Sequence, residues 1–276
     1  MAGLPREEYI EQAYFYRLLI ERLQDGIPLQ EILLQAKEES LATTRLPLAI
    51  DFLLGELRHR GVIASGMRRL SHYFTPFQTF VIGQAEEEGG RFDMLTGLRI
   101  LQKESEYRSK EPTPAGLFLY QFEALARNRL NYDRGLTAIA EDPFYEPEWR
   151  EWILTVRRQI GIVSLGDLIY VRSSYYVERR ERAGQPVEDV PVLFGAREGK
   201  IAFANRRKDP RFLFSALQRH LGYPAVPRRR VVDQAVLLLP QILRRLERIE
   251  QRVKLLEEEQ RGGIDLSRFM PGGDQK

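Results

Sequence analysis

The chain contains no cysteine in 276 residues. That excludes disulfide staples, a thiolate nucleophile and any cysteine-ligated zinc or iron–sulfur site. Histidine is nearly as scarce, and His59, His72 and His220 lack the i,i+4 spacing that sets two imidazoles on one metal-binding face. No metal or other cofactor is expected. His59 and His220 fall in the last turns of expected helices, where a cation suits the dipole. His72, inside RRLSHYF, is the one candidate general base. Long apolar runs are missing too. No window approaches the roughly eighteen uncharged apolar residues of a membrane span, and mean hydropathy is −0.38. The opening MAGLPREEYIEQAYFY is acidic and amphipathic, without the basic start and apolar stretch of a secretory signal. A cytoplasmic protein with no membrane partner is expected.

Charge imbalance is small overall, at +3, although the isoelectric point is about 9.1. The excess is local. Residues 172–230 hold fourteen basic against six acidic side chains, while 1–171 are mildly acidic and 231–276 neutral. Arg206, Arg207, Lys208, Arg211, Arg228, Arg229 and Arg230 are the candidate nucleic-acid-binding residues. Guanidinium forks suit phosphate, and Phe194 and Phe203 are rings on which bases stack. Such binding would be largely electrostatic and salt-sensitive.

What is present in quantity is helical punctuation. Pro5 and Gly26 bracket a first helix with apolar face Tyr9, Ala13, Tyr16, Leu19, Ile20 and Leu23. Pro28 opens a second. Thr44 caps a third that Gly61 stops, and Met67 to Tyr73 forms a short return. Thr75-Pro76 and Thr113-Pro114 start two more, the former stopped at Gly89-Gly90; 91–108 is helical, and Asn131 begins a helix ending before Pro143. Pro147 opens another, and Ser164 caps one running to about Arg182. Paired, these make about five antiparallel hairpins over 5–182, each of roughly 35–40 residues, the period of α-helical repeats. The best internal alignment has a 40-residue offset, pairing Phe80 with Tyr120, Ile82 with Phe122, Ala85 with Leu125, and Phe92-Asp93 with Tyr132-Asp133. In NYDRGLTAIAEDP (131–143), Tyr132, then Gly135, then Pro143 about one turn early, resembles a tetratricopeptide repeat. That resemblance covers about two hairpins, the earlier copy having Leu95 at the small position. It implies a protein-binding scaffold.

Beyond Gly184-Gln185-Pro186 the pattern changes. VPVLF (190–194) and KIAFAN (200–205) around GARE read as a β-hairpin. GAREGKI (195–201) superficially matches a phosphate-binding loop. It has three residues between glycines where four are needed, and Ile201 where the hydroxyl belongs. A hairpin turn is expected instead. Asp209-Pro210 starts a helix that Gly222 stops, and YPAVPRRR is a linker. Leu239, Ile242, Leu246, Ile249, Val253 and Leu256 then follow 3-4-3-4-3 spacing, the seam of a coiled coil. In a parallel oligomer Leu238 faces Leu243 of the neighbouring strand, Arg245 faces Glu250 and Arg252 faces Glu257. A helix folded back on the body is the alternative.

The expected architecture is mainly α. Residues 1–183 form antiparallel helical hairpins stacked as a short α-solenoid, 184–224 a basic β-hairpin plus helix module, 225–230 a linker, 231–260 a coiled-coil helix and 261–276 a flexible tail. The expected function is a non-enzymatic scaffold that forms a homo-oligomer and binds protein partners on its helical repeats. Phosphate-backbone binding through 172–230 is the alternative, and an enzyme of unknown class the third.

Overall fold

The computed structural model describes residues 3–87, 92–186 and 190–228. The chain divides into two compact units, Met1–Arg229 and Arg230–Lys276. The second lies outside the described residues, and with it the whole heptad seam, Leu239 to Leu256 with Arg245, Glu250, Arg252 and Glu257. Arg229, Arg230 and the expected stop at Gly89-Gly90 fall outside them as well.

Thirteen helices occupy the described residues: α1 Arg6–Gln24, α2 Leu29–Glu39, α3 Leu46–Arg60, α4 Ala64–Arg69, α5 Pro76–Glu86, α6 Met94–Arg108, α7 Pro114–Asn128, α8 Tyr132–Ala140, α9 Pro147–Gln159, α10 Leu165–Tyr170, α11 Ser174–Arg182, α12 Ala196–Ala204 and α13 Pro210–Leu221. The mainly α expectation holds. Local chemistry explains most boundaries. Thr75 accepts from the Gln78 amide while the Gln78 side chain accepts from the Thr75 amide, a reciprocal capping box. Thr113, Asn131, Ser164 and Asp209 cap α7, α8, α10 and α13 through side-chain oxygens. Gly61 and Gly222 end α3 and α13 at φ 73° and 69°, left-handed backbone in which glycine meets no Cβ penalty. Thr44 does not cap α3; its hydroxyl donates to the Leu41 carbonyl.

The most extensive helix–helix contact joins α1 to α6, elements far apart in sequence. Gln12 of α1 accepts from Ser105 of α6 at 3.5 Å, and it also ties α1 to α5 and the loop before it, accepting from Gln78 at 3.0 Å and donating to the Tyr73 carbonyl at 3.1 Å. Helices α5 to α8 show an internal correspondence at a different offset from the one the sequence alignment used. The caps Thr75 and Thr113, and the caps Asp93 and Asn131, each stand thirty-eight residues apart rather than forty. This register pairs Gly97 with Gly135, where the 40-residue alignment had put Leu95. Both glycines are tight: a Cβ on Gly97 would sit 3.3 Å from Phe92, and one on Gly135 only 2.7 Å from Leu125.

The expected β-hairpin is absent among the described residues, which contain only isolated bridges, Ile160 with Val163 and Ser173 with Phe194. KIAFAN lies largely within α12. Its Ala202 is buried, and Gly199 packs so closely on Ser173 that a Cβ there would lie 2.2 Å from the Ser173 hydroxyl. This contact overrides the β preference of Ile201 and Phe203. The helix expected from Ser164 to Arg182 is two, α10 and α11. At the break, the Leu193 and Phe194 amides donate to the Arg172 carbonyl at 2.9 and 3.0 Å, and the Ser174 amide donates to the Phe194 carbonyl at 3.0 Å. The Phe194 ring stands 5.1 and 5.0 Å from those of Trp149 and Trp152, tying 190–194 into the core around α9.

Candidate functional site

Among the described residues, three of the places that gather chemistry-bearing side chains bear on function. The first is sealed. Glu104 and Arg108 lie one turn apart on α6, Gln121 comes from α7, and Asp142 and Tyr145 from the loop after α8; all five are buried. Arg108 Nε and Nη2 donate to Glu104 Oε1 at 3.1 and 2.9 Å, and Nη2 also donates to Asp142. Gln121 Nε2 donates to the same Glu104 oxygen at 2.7 Å, and Tyr145 donates to Gln121 Oε1 at 2.8 Å. One guanidinium thus faces two carboxylates. Burial pushes the Glu104 pKa up, the Arg108 charge opposes that, and Asp142 adds to the rise. A cleft of about 60 Å³ touches this cluster, lined by His72, Tyr9 and Asp142 among others. The His72 ring makes no hydrogen bond among the described residues, so no partner orients it as a base.

The second place is the basic surface of α10 to α13. Here the structure separates the candidate nucleic-acid residues. Arg206 is spent on Asp167, with its guanidinium 4.6 Å from the Tyr170 ring and 5.2 Å from that of Phe203. Arg211 pairs with Asp209 at 2.6 Å. Arg207 and Lys208 are exposed, as is Arg228. Partial burial works against ionised Asp167. Hydrogen bonds from Ser164 and Arg206, with the charges of Arg206 and Arg207, outweigh it, and its pKa lies below the ordinary carboxylate value. Arg179 stacks on Phe203 at 4.4 Å, and Arg180 donates to the Pro186 carbonyl at 3.1 and 2.6 Å. These arginines, with Tyr170, Tyr176 and Phe203, line a cleft of about 330 Å³. Phe194 is not available for base stacking, being only 1% exposed.

GAREGKI does open a helix, contrary to the hairpin-turn expectation, because Gly195 is the N-cap of α12. Phosphate has no room there: a Cβ on Gly195 would meet Glu198 Oε2 at 2.7 Å, so a carboxylate already lies over the helix start. Glu198 also pairs with His220 at 3.0 Å, a partner for that histidine that sequence spacing did not suggest.

The third place was not singled out in the sequence. The 160–164 loop, the ends of α7 and α12 and the starts of α10 and α13 line a cleft of about 320 Å³. Phe122, Leu213 and Phe214, all buried, line it together with exposed Arg207, Lys208 and Ile162. The signal available beforehand was weak. Arg207 and Lys208 stand in the sequence within a basic run, with nothing local to set them apart from Arg206 and Arg211. No helix among the described residues is long and apolar enough to cross a membrane, and none of their His, Asp and Glu side chains cluster as a metal site would require. No family model, curated protein or solved structure matches the chain.

Proposed function

We propose that the chain is a non-enzymatic helical scaffold that self-associates through residues 239–256 and holds protein partners on its helical body. The observation that carries this reading is the agreement between seam and flanks. Leucine, isoleucine and valine recur at 3-4-3-4-3 spacing, and every g to e′ pairing of a parallel assembly is complementary. A merely solvated helix has no reason to match Arg245 with Glu250 and Arg252 with Glu257. The thirty-eight-residue correspondence of α5–α6 with α7–α8 supports a repeat-built body. Joining copies raises the effective concentration of each partner-binding face, so weak contacts act together.

Charge-swapped full-length chains test this. R245E/R252E alone and E250R/E257R alone are expected to sediment as single chains of about 32.2 kDa, while an equimolar mixture recovers the wild-type oligomer. A wild-type chain that is itself monomeric overturns the proposal and favours a helix docked on the body.

A second reading is phosphate-backbone binding through 172–230. The observation favouring it is the Arg179, Arg180, Tyr176 and Phe203 cleft, where guanidinium and ring faces alternate. It requires affinity for single-stranded oligonucleotides that falls steeply with salt.

A further inference from the structure

We infer that the cleft between the end of α7, the 160–164 loop and the starts of α10 and α13 binds a small amphipathic anion, an apolar tail ending in a carboxylate. This goes beyond the scaffold reading and does not depend on it. At about 320 Å³ the cleft falls within the size range of small-molecule sites, about 300–1,000 Å³. Its lining joins apolar side chains to two cations. Phe122, Leu213 and Phe214 supply aromatic and aliphatic surface, with the Phe122 and Phe214 rings 6.0 Å apart. Arg207 and Lys208 supply the cations, and no aspartate or glutamate lines the cleft. Neither side chain makes a hydrogen bond or an ion pair among the described residues. The Arg207 charge does reach Asp167, but that carboxylate is already engaged by Arg206 and Ser164. Two uncommitted donors therefore share the cleft with apolar side chains, which is the charge and polarity pattern of a carboxylate with a hydrocarbon tail.

Ile162 adds an independent reason. It is 86% exposed at the cleft edge, on a turn whose Gly161 has φ 93°. A tail lying in the cleft would cover this side chain and remove its apolar surface from water. A nucleic-acid backbone fits less well, because it needs cations spaced along a track. Here Arg206 and Arg211 pair with Asp167 and Asp209, leaving only the adjacent Arg207 and Lys208 as cations lining the cleft.

The test is calorimetric titration of the full chain with dodecanoate below its micellar range, beside dodecyltrimethylammonium, which has the same tail and the opposite charge. One dodecanoate per chain is expected, with the cation at least about tenfold weaker. R207N/K208Q, with asparagine chosen because position 207 is left-handed at φ 59°, is expected to weaken dodecanoate about tenfold or more. A126F, which fills the cleft from α7, is expected to abolish binding, with helical circular dichroism retained in both variants. Equal affinity for the two surfactants, or dodecanoate binding unchanged in R207N/K208Q, overturns the inference. So does no dodecanoate binding alongside an oligonucleotide affinity lost in that variant. Sedimentation of these variants is expected to match wild type, so failure of the ligand reading and of the self-association reading are distinguishable.

Discussion

The Glu104–Arg108–Asp142 cluster and the Asp167–Arg206 pair use the same parts, carboxylate and guanidinium backed by aromatic rings, in different media. The side chains of Arg108 and its two partners are at most 2% exposed, whereas those of Arg206 and Asp167 are 37% and 32% exposed. Water still solvates the second pair, so losing one member returns the other to a medium that stabilises it. The first has no such recourse. Removing its cation would leave two carboxylates in the core without a countercharge. The same contact type therefore specifies structure in one region and decorates the surface in the other.

The sharpest way to break that contrast is Arg108→Met. Equilibrium urea unfolding is expected to show a loss of about 3–5 kcal/mol, as for stripping one partner from a buried ion pair. A loss as small as that of a surface pair would mean the cluster is wetter than its burial indicates. Glu104→Gln probes the sign of the pH dependence. Because burial raises the folded-state pKa of Glu104, its contribution is complete below the ordinary glutamate value, near 4.3, and is lost as pH rises through the raised one. Wild-type stability is expected to decline across that window and the Gln variant to decline less; parallel curves would refute the burial argument. Asp167 has the opposite sign. Its pKa is depressed, so its contribution is present above the ordinary aspartate value and fades as pH falls. The smallest effect belongs there. Arg206→Gln is expected to cost under about 1 kcal/mol, measured by the same unfolding assay at low and high salt.

Much of the helical framework was legible because its signals are local. Thr-Pro and Asp-Pro starts and the glycines at 61 and 222 act through the backbone within a few residues, and the structure places helix ends there. KIAFAN was misread because its helical state depends on Ser173, which leaves room for nothing larger than Gly199. The 40-residue alignment matched aromatic residues, while the caps and the two crowded glycines follow thirty-eight. Glu104 and Arg108 had the i,i+4 spacing of a surface pair. Only Asp142 and Gln121, from other elements, show it to be a core feature. The amphipathic cleft was invisible for the same reason, since its apolar lining and its cations come from distant parts of the chain.

The seating of α1 on α6 bears on the order in which the molecule assembles. Gln12 finds its partners Tyr73 and Gln78 only after a long stretch of chain has been closed into a loop. Closing such a loop costs entropy before any of those contacts offsets it. During synthesis α2 and α3 follow α1 directly, but the part of its face that packs on α6 would stay uncovered until α6 had followed. Tyr16, Leu19 and Ile20, which end among the buried residues, would be the surface most in need of shielding during that interval.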